Sequence, residues 1–176
     1  MDGLILPKQK IIGGNIIGYT MDYVNGSYIN KLNLTNQELI QLFKKISSLL
    51  KHYHKYGIVL ADINISNILV KSLDEVYFCD VDSCKIVDLP HENIPFLTYH
   101  FLEQLKIKYM SIDENFDRLS LYLLFLYIML DKQNILLMSQ YELDKKLAKT
   151  GLEKQKVFIK TIKKNLGEIP YLEELL

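Results

Sequence analysis

The chain lacks an excess charge of either sign. Lys plus Arg number 21 and Asp plus Glu number 21, so the net charge is zero and no global field draws it to nucleic acid or to an anionic membrane. It has little cysteine: Cys79 and Cys84 are the only two, and their spacing is not the C-x2-C of a zinc site. That pattern fits a reduced intracellular protein with one or two buried thiols. Long apolar runs are missing too. The longest, "LYLLFLYIML" from Leu121 to Leu130, is too short to span a bilayer and reads as a helix buried on every side. "MDGLILPKQK" has no basic stretch followed by an apolar one, so no signal peptide is expected and the cytoplasm is the default location. Internal repeats and low-complexity segments are absent.

What is present is an ordinary globular balance, with 49% hydrophobic and 24% charged residues over 176 positions. That is enough chain for one domain with a real core. Charge is uneven locally: Lys145 to Lys164 is basic and the last nine residues are acidic. A solvated helix face accounts for the basic stretch.

The first segments read as short strands over 4–12 and 15–24, joined by Gly13-Gly14-Asn15 as a hairpin signal. "VNGSYINKLN" is turn-like. Thr35 followed by Glu38 forms a capping box for a helix in which Leu39, Leu42, Phe43, Ile46, Leu49, Leu50 and Tyr53 recur at helical spacing. Gly57 ends that pattern. "GIVLADI", "NILVKS" and "EVYFCDVD" read as strands, with "SLDE" a tight turn between the last two. Pro90 and Pro95 mark a loop, after which helices are expected near 98–107, 116–131, 139–149 and 152–165. The order gives an α+β domain, mostly helical toward its C-terminal end.

The chemistry concentrates in "LADINISNILVKSLDEVYFCDVDS". Asn67 follows Asp62 in a D-x4-N pattern, and Asp80 and Asp82 lie just past an apolar strand. Strand alternation puts Asp80 and Asp82 on one face. If "NILV" and "VYFC" pair as a hairpin, Asn67 and Asp80 sit side by side at its open end, with Asp62 arriving from the preceding loop. Carboxylates and a carboxamide oxygen gathered there suit Mg2+, which keeps several waters and shares ligands with phosphates. A further carboxylate nearby can orient or deprotonate a hydroxyl. Any one of these residues alone would read as a turn cap; their joint spacing favours a metal–phosphate site.

On these residues the chain resembles the C-terminal lobe of a protein kinase, most like a bacterial branch of eukaryotic-type Ser/Thr kinases, with some likeness to RIO-type kinases. Asp62 and Asn67 match the kinase catalytic loop, and Asp80 falls in register with the metal-binding Asp of D-F-G. "GYTMDYVNG" is similar to the hinge and "HKYGIVLAD" to the helix end, with its His, that leads into the catalytic loop. "TYHFLEQL" resembles the end of an activation segment, with Glu103 in the place of the A-P-E Glu. "ENFDRLSLYLLFLYIML" resembles the buried central helix, whose Asp, here Asp117, braces the catalytic-loop backbone.

The resemblance implies a protein kinase-like fold: remnant N-lobe strands and hinge over 1–30, and a C-lobe over 31–176. It implies ATP and Mg2+ as cofactors, Asp62 as catalytic base, and Asn67 and Asp80 as metal ligands. Met21, Asp22, Tyr23, Val24 and Leu69 are the implied adenine contacts, and a protein Ser/Thr hydroxyl is the acceptor.

The departures matter. Leu60-Ala61 stands where the family has His-Arg, so an activation-loop phosphate at Thr98 or Tyr99 has no Arg there to dock on. Val81 and Asp82 replace the Phe and Gly of D-F-G. "IIGGN" is no phosphate loop, and neither Lys8 nor Lys10 takes the place of the ATP-contacting Lys. The expectation is therefore a phosphotransferase that is reduced or completed in trans. The alternatives are a pseudokinase acting as a binding or regulatory module, or a segment of a longer kinase. Either way the uncovered N-terminal strands expect a protein partner, while nucleic acid and membrane are not expected.

Overall fold

The computed structural model describes residues 3–86, 111–130, 139–150 and 168–176. The expected loop at Pro90–Pro95, the helices near 98–107 and 152–165, and Thr98, Tyr99 and Glu103 lie outside them. Among the described residues the fold is mixed, with helices and small antiparallel sheets, as expected for an α+β domain.

Strand β1 (Pro7–Gly13) pairs antiparallel with β2 (Asn15–Met21) across Gly14, whose φ of +83° serves the tight turn. The expected first strand begins too early. Gly3 to Ile5 leave the hairpin and bond to β6 (Val76–Phe78) instead, with Phe78 N–H donating to Gly3 O at 2.7 Å and Ile5 N–H to Phe78 O at 2.9 Å. Leu6 then links this piece to β1, which Pro7 opens. Strand β3 (Ser27–Tyr28) pairs with β5 (Ile68–Val70), which pairs with β6 to give the order β3-β5-β6. The "SLDE" turn is present, closed by Lys71 N–H and Ser72 N–H on Glu75 O.

Helix α1 (Asn36–Lys55) begins at the Thr35–Glu38 capping box. It buries Leu39, Leu42, Phe43, Ile46, Leu50 and Tyr53, the face its periodicity marks. Helix α2 (Glu114–Met129), capped by Asp113, starts two residues earlier than expected. It is buried nearly all round, as its unbroken apolar run requires. Phe43 and Phe125 meet edge to face at 5.1 Å where the two helices pack. Helix α3 (Gln140–Lys149) lies where 139–149 predicts one and carries its own Ser139–Glu142 capping box.

The last described segment, ending in the short helix α4 (Leu172–Leu175), docks on α1 and α2. Ile169 and Leu172 are buried, Ile169 N–H donates to Asn115 Oδ1 at 3.0 Å, and Glu173 N–H donates to Ser47 Oγ at 3.3 Å. No helix among the described residues is long and apolar enough to cross a membrane.

Candidate functional site

After α1 the chain turns at Gly57, runs through β4 (Ile58–Val59), and enters the loop that carries Asp62. β4 is tied to β7 (Lys85–Ile86), so both flanks of the candidate site are held by one small sheet. Asp117, in the first turn of α2, is wholly buried beneath this loop. Its Oδ2 accepts from Leu60 N–H at 2.7 Å and its Oδ1 from Ala61 N–H at 2.8 Å. The brace that the resemblance implies for Asp117 is thus present as a pair of hydrogen bonds. His54 Nε2 lies 3.0 Å from the same Oδ2. Burial pushes the Asp117 carboxyl above its usual range, against the pull of His54 and the two loop amides.

Ala61 adopts a φ of +64°, a left-handed conformation that a residue with a Cβ avoids. It persists because Asp117 fixes its N–H and burial fixes its methyl. The turn aims the next residue, Asp62, toward Asn67. Asn67, itself buried, donates through Nδ2 to Asp62 Oδ2 at 2.9 Å and to Asp62 O at 3.1 Å. With its nitrogen committed to Asp62, the amide presents its carbonyl oxygen as the remaining donor to a cation. Asn64 completes the loop: its Nδ2 donates to Asp62 Oδ1 at 3.0 Å while its Oδ1 accepts from Ser66 N–H at 2.8 Å.

The β5–β6 hairpin forms as expected, but its register sets Ile68 opposite Phe78. Asn67 therefore faces Cys79, whose N–H donates to Asn67 O at 3.0 Å, and not Asp80 as expected; a ladder shifted by one residue changes every partner. Asp80 is therefore one residue beyond the pairing that holds Asn67. The expectation that Asp80 and Asp82 share a face of a continuing strand is corrected. The strand ends at Phe78, Asp80 is left-handed with φ +57°, and Val81–Ser83 form a 3-10 turn. Asp tolerates that conformation better than most residues. The two carboxylates still meet, through the turn. Asp82's charge pushes Asp80's carboxyl up, aided by partial burial, a hydrogen bond to Asp82 and the charge of Asp62.

So the structure pairs Asp62 with Asn67 through hydrogen bonds and places Asp80, beside Asp82, one residue past the ladder that holds Asn67 and near enough to feel the Asp62 charge. Among the described residues no three Asp, Glu, His or Cys side chains group as a self-sufficient metal cage. The candidate donors are instead the Asp62 carboxylate, the Asn67 amide oxygen and the Asp80 carboxylate, open to solvent at the exposed Asp80 and Asp82. In type it fits a hard cation that keeps waters and shares ligands with phosphate, and repulsion at Asp80 is what such a cation would relieve.

The other expected site residues stand apart. Met21 ends β2 half exposed, Tyr23 is 88% exposed, and Asp22 makes a 2.6 Å ion pair with Lys8. The chain links them to the site through Gly26, where a side-chain carbon would sit 3.1 Å from Val70 O, and through β3, whose Tyr28 faces Leu69.

Sequence reading missed the support of this site. His54, which the resemblance marks only as the His of the helix end leading into the loop, is a buried partner of Asp117 and of Tyr171, whose hydroxyl lies 2.9 Å from His54 Nδ1. A polar residue on the buried face of an amphipathic helix was the signal available for it. Nothing local flags Tyr171, which is 117 residues away in sequence.

No protein-family model matches this chain, and no curated protein matches it.

Proposed function

We propose that this chain has a protein kinase-like fold, its C-lobe preceded by a short β remnant of the N-lobe. In this reading it is a cytoplasmic phosphotransferase domain that moves the γ-phosphate of ATP to a protein Ser/Thr hydroxyl with Mg2+, its N-lobe elements reduced or supplied in trans. The observation that carries the reading is the loop at 60–62. A wholly buried carboxylate holds Leu60 and Ala61 N–H, Ala61 is left-handed, and Asp62 is delivered onto Asn67. Strain held by surrounding structure is characteristic of working sites.

Asp62, oriented from both sides by Asn64 and Asn67, accepts the proton of the attacking hydroxyl. Asn67 and Asp80 would hold the cation, with Asp82 beside them. Mg2+, when bound, neutralises charge on the transferring phosphates. Met21, Asp22, Tyr23, Val24 and Leu69 take the adenine. Every part positions or neutralises, which is nearly all that phosphoryl transfer asks of a protein.

The test has two stages. ATP with Mg2+ raises the melting temperature of the wild type but not of Asp80→Ala. Labelled ATP is then turned over onto a generic Ser/Thr substrate, and Asp62→Ala abolishes the turnover while keeping the thermal shift. A wild type that neither shifts nor turns over refutes the reading.

A thermal shift without turnover supports the alternative, a pseudokinase module, and one observation favours it. On the β1–β2 hairpin Ile12 is 69%, Ile16 59% and Ile17 70% exposed, an apolar surface suited to a regulatory protein partner.

A further inference from the structure

Tyr171, in the docked C-terminal segment, reaches the support beneath the loop. Its hydroxyl has two hydrogen-bonding neighbours, Arg118 Nη2 at 3.3 Å and His54 Nδ1 at 2.9 Å. A guanidinium only donates, so Arg118 occupies a lone pair of the tyrosine oxygen. In the His54 tautomer whose Nδ1 is bare, the hydroxyl's single proton goes to that nitrogen. The imidazole proton is left on Nε2, facing Asp117 Oδ2 at 3.0 Å.

The result is a chain of donors with one direction, from Arg118 to Tyr171, His54 and Asp117. It ends on a carboxylate that also receives Leu60 and Ala61 N–H. Arg118 is itself fixed by Glu114 Oε2 at 2.6 Å and Ile169 O at 2.9 Å, and stacks on the Tyr171 ring at 4.1 Å. Lys51 lies 5.0 Å from the same ring and is paired with Glu173 and Glu174.

We propose that Tyr171 is a positioning residue for the 60–62 loop. By donating to His54 Nδ1 it selects the Nε2–H form, orients the ring, and so holds Asp117 against the loop amides. Docking of residues 168–176 is thereby part of the loop's geometry, although Asp117 and Tyr171 are 54 positions apart. The catalytic consequence rests on the phosphotransferase reading; the hydrogen-bond chain does not.

The test is 15N NMR of the full chain with hydrogen exchange at assigned amides. Wild-type His54 shows a protonated Nε2 and an unprotonated, hydrogen-bonded Nδ1. Tyr171→Phe keeps the ring between Lys51 and Arg118 but removes the hydroxyl. In it the Nδ1 resonance moves to its unbonded position, and the Leu60 and Ala61 amides exchange about tenfold faster, while amides in the middle of α1 keep the wild-type rate. Lys51→Ala weakens the docked segment without touching the hydroxyl, and leaves both loop amides protected. The proposal is overturned by a proton on Nδ1 in the wild type, by unchanged loop exchange in Tyr171→Phe, or by an increase shared equally with α1. Absence of turnover would sink the phosphotransferase reading and leave these readouts standing.

Discussion

Replacing Asp117 by Asn isolates what its negative charge does for the loop. The carboxylate is wholly buried and accepts from Leu60 N–H, Ala61 N–H and the His54 ring. An Asn keeps most by placing its oxygen where Oδ2 stands, retaining Leu60 and His54. Its NH2 then faces Ala61 N–H, donor against donor, at a separation of 2.8 Å in the wild type. One buried unsatisfied donor costs about 1–3 kcal/mol. Part is offset because a neutral amide is cheaper to bury than a carboxylate, the same effect that pushes Asp117's carboxyl up. The expected net loss is about 1–2 kcal/mol. Asp117→Ala orphans all three donors and costs about 3–5 kcal/mol.

Urea melts followed by far-UV circular dichroism measure this, since the chain has no tryptophan to report. The pH dependence has a definite sign. A carboxyl raised on folding binds its proton more tightly in the folded state, so its contribution falls as pH rises from the unfolded toward the folded value. The wild type therefore loses ground to Asp117→Asn as pH increases through that window. Hydrogen exchange localises the damage, with Ala61 losing protection before Leu60. If Asp117→Asn melts with the wild type at a pH where Asp117 is ionised and keeps Ala61 protected there, the charge is not the brace.

Ala61→Gly tolerates φ +64° without strain and should be neutral to within about 1 kcal/mol in a urea melt, whereas Ala61→Val, β-branched in a buried left-handed position, should cost more than about 2 kcal/mol. Equal effects of the two would disprove the strain. Asp82→Asn removes the leading cause of Asp80's raised carboxyl, so Asp80's NMR titration midpoint should move down toward the ordinary range; an unmoved midpoint would place the two carboxylates apart. Cys84, pushed up to about 12 by burial and then by the nearby Asp117 and Asp82 charges, should alkylate far more slowly than a free thiol at pH 8. Prompt modification of Cys84 in the folded chain would contradict that burial.

Local physics made the elements legible. The Thr35–Glu38 box, the periodic apolar face of α1 and the unbroken apolar run of α2 each carry their own instruction, and the structure follows them. The hairpins at Gly13–Gly14 and at "SLDE" were readable for the same reason, though the register of the second is one residue from the expected one. Reading Asp80 and Asp82 as strand residues failed because β propensity through "VYFC" says nothing of where a ladder stops. Here it stops at Phe78, where Asp80 leaves the β region. The detachment of Gly3–Ile5 toward β6 is likewise a tertiary choice, made because β6 has an edge to fill. Tyr171 was illegible for the deepest reason: its role exists only once α1, α2 and the C-terminal segment are packed.

Three features of the site each disfavour the folded state when taken alone. Asp117 is ionisable and wholly buried, Ala61 is left-handed without being glycine, and Asp80 is held among like charges. A sequence selected for stability alone has simple remedies for each: an apolar residue, a glycine, an asparagine. The three lie on one short path through the fold, from beneath the loop, along its backbone, to the end of the neighbouring hairpin. Unfavourable local choices scattered at random would suggest only tolerance. Concentrated around Asp62 and Asn67, they are what is expected where position and charge matter more than stability.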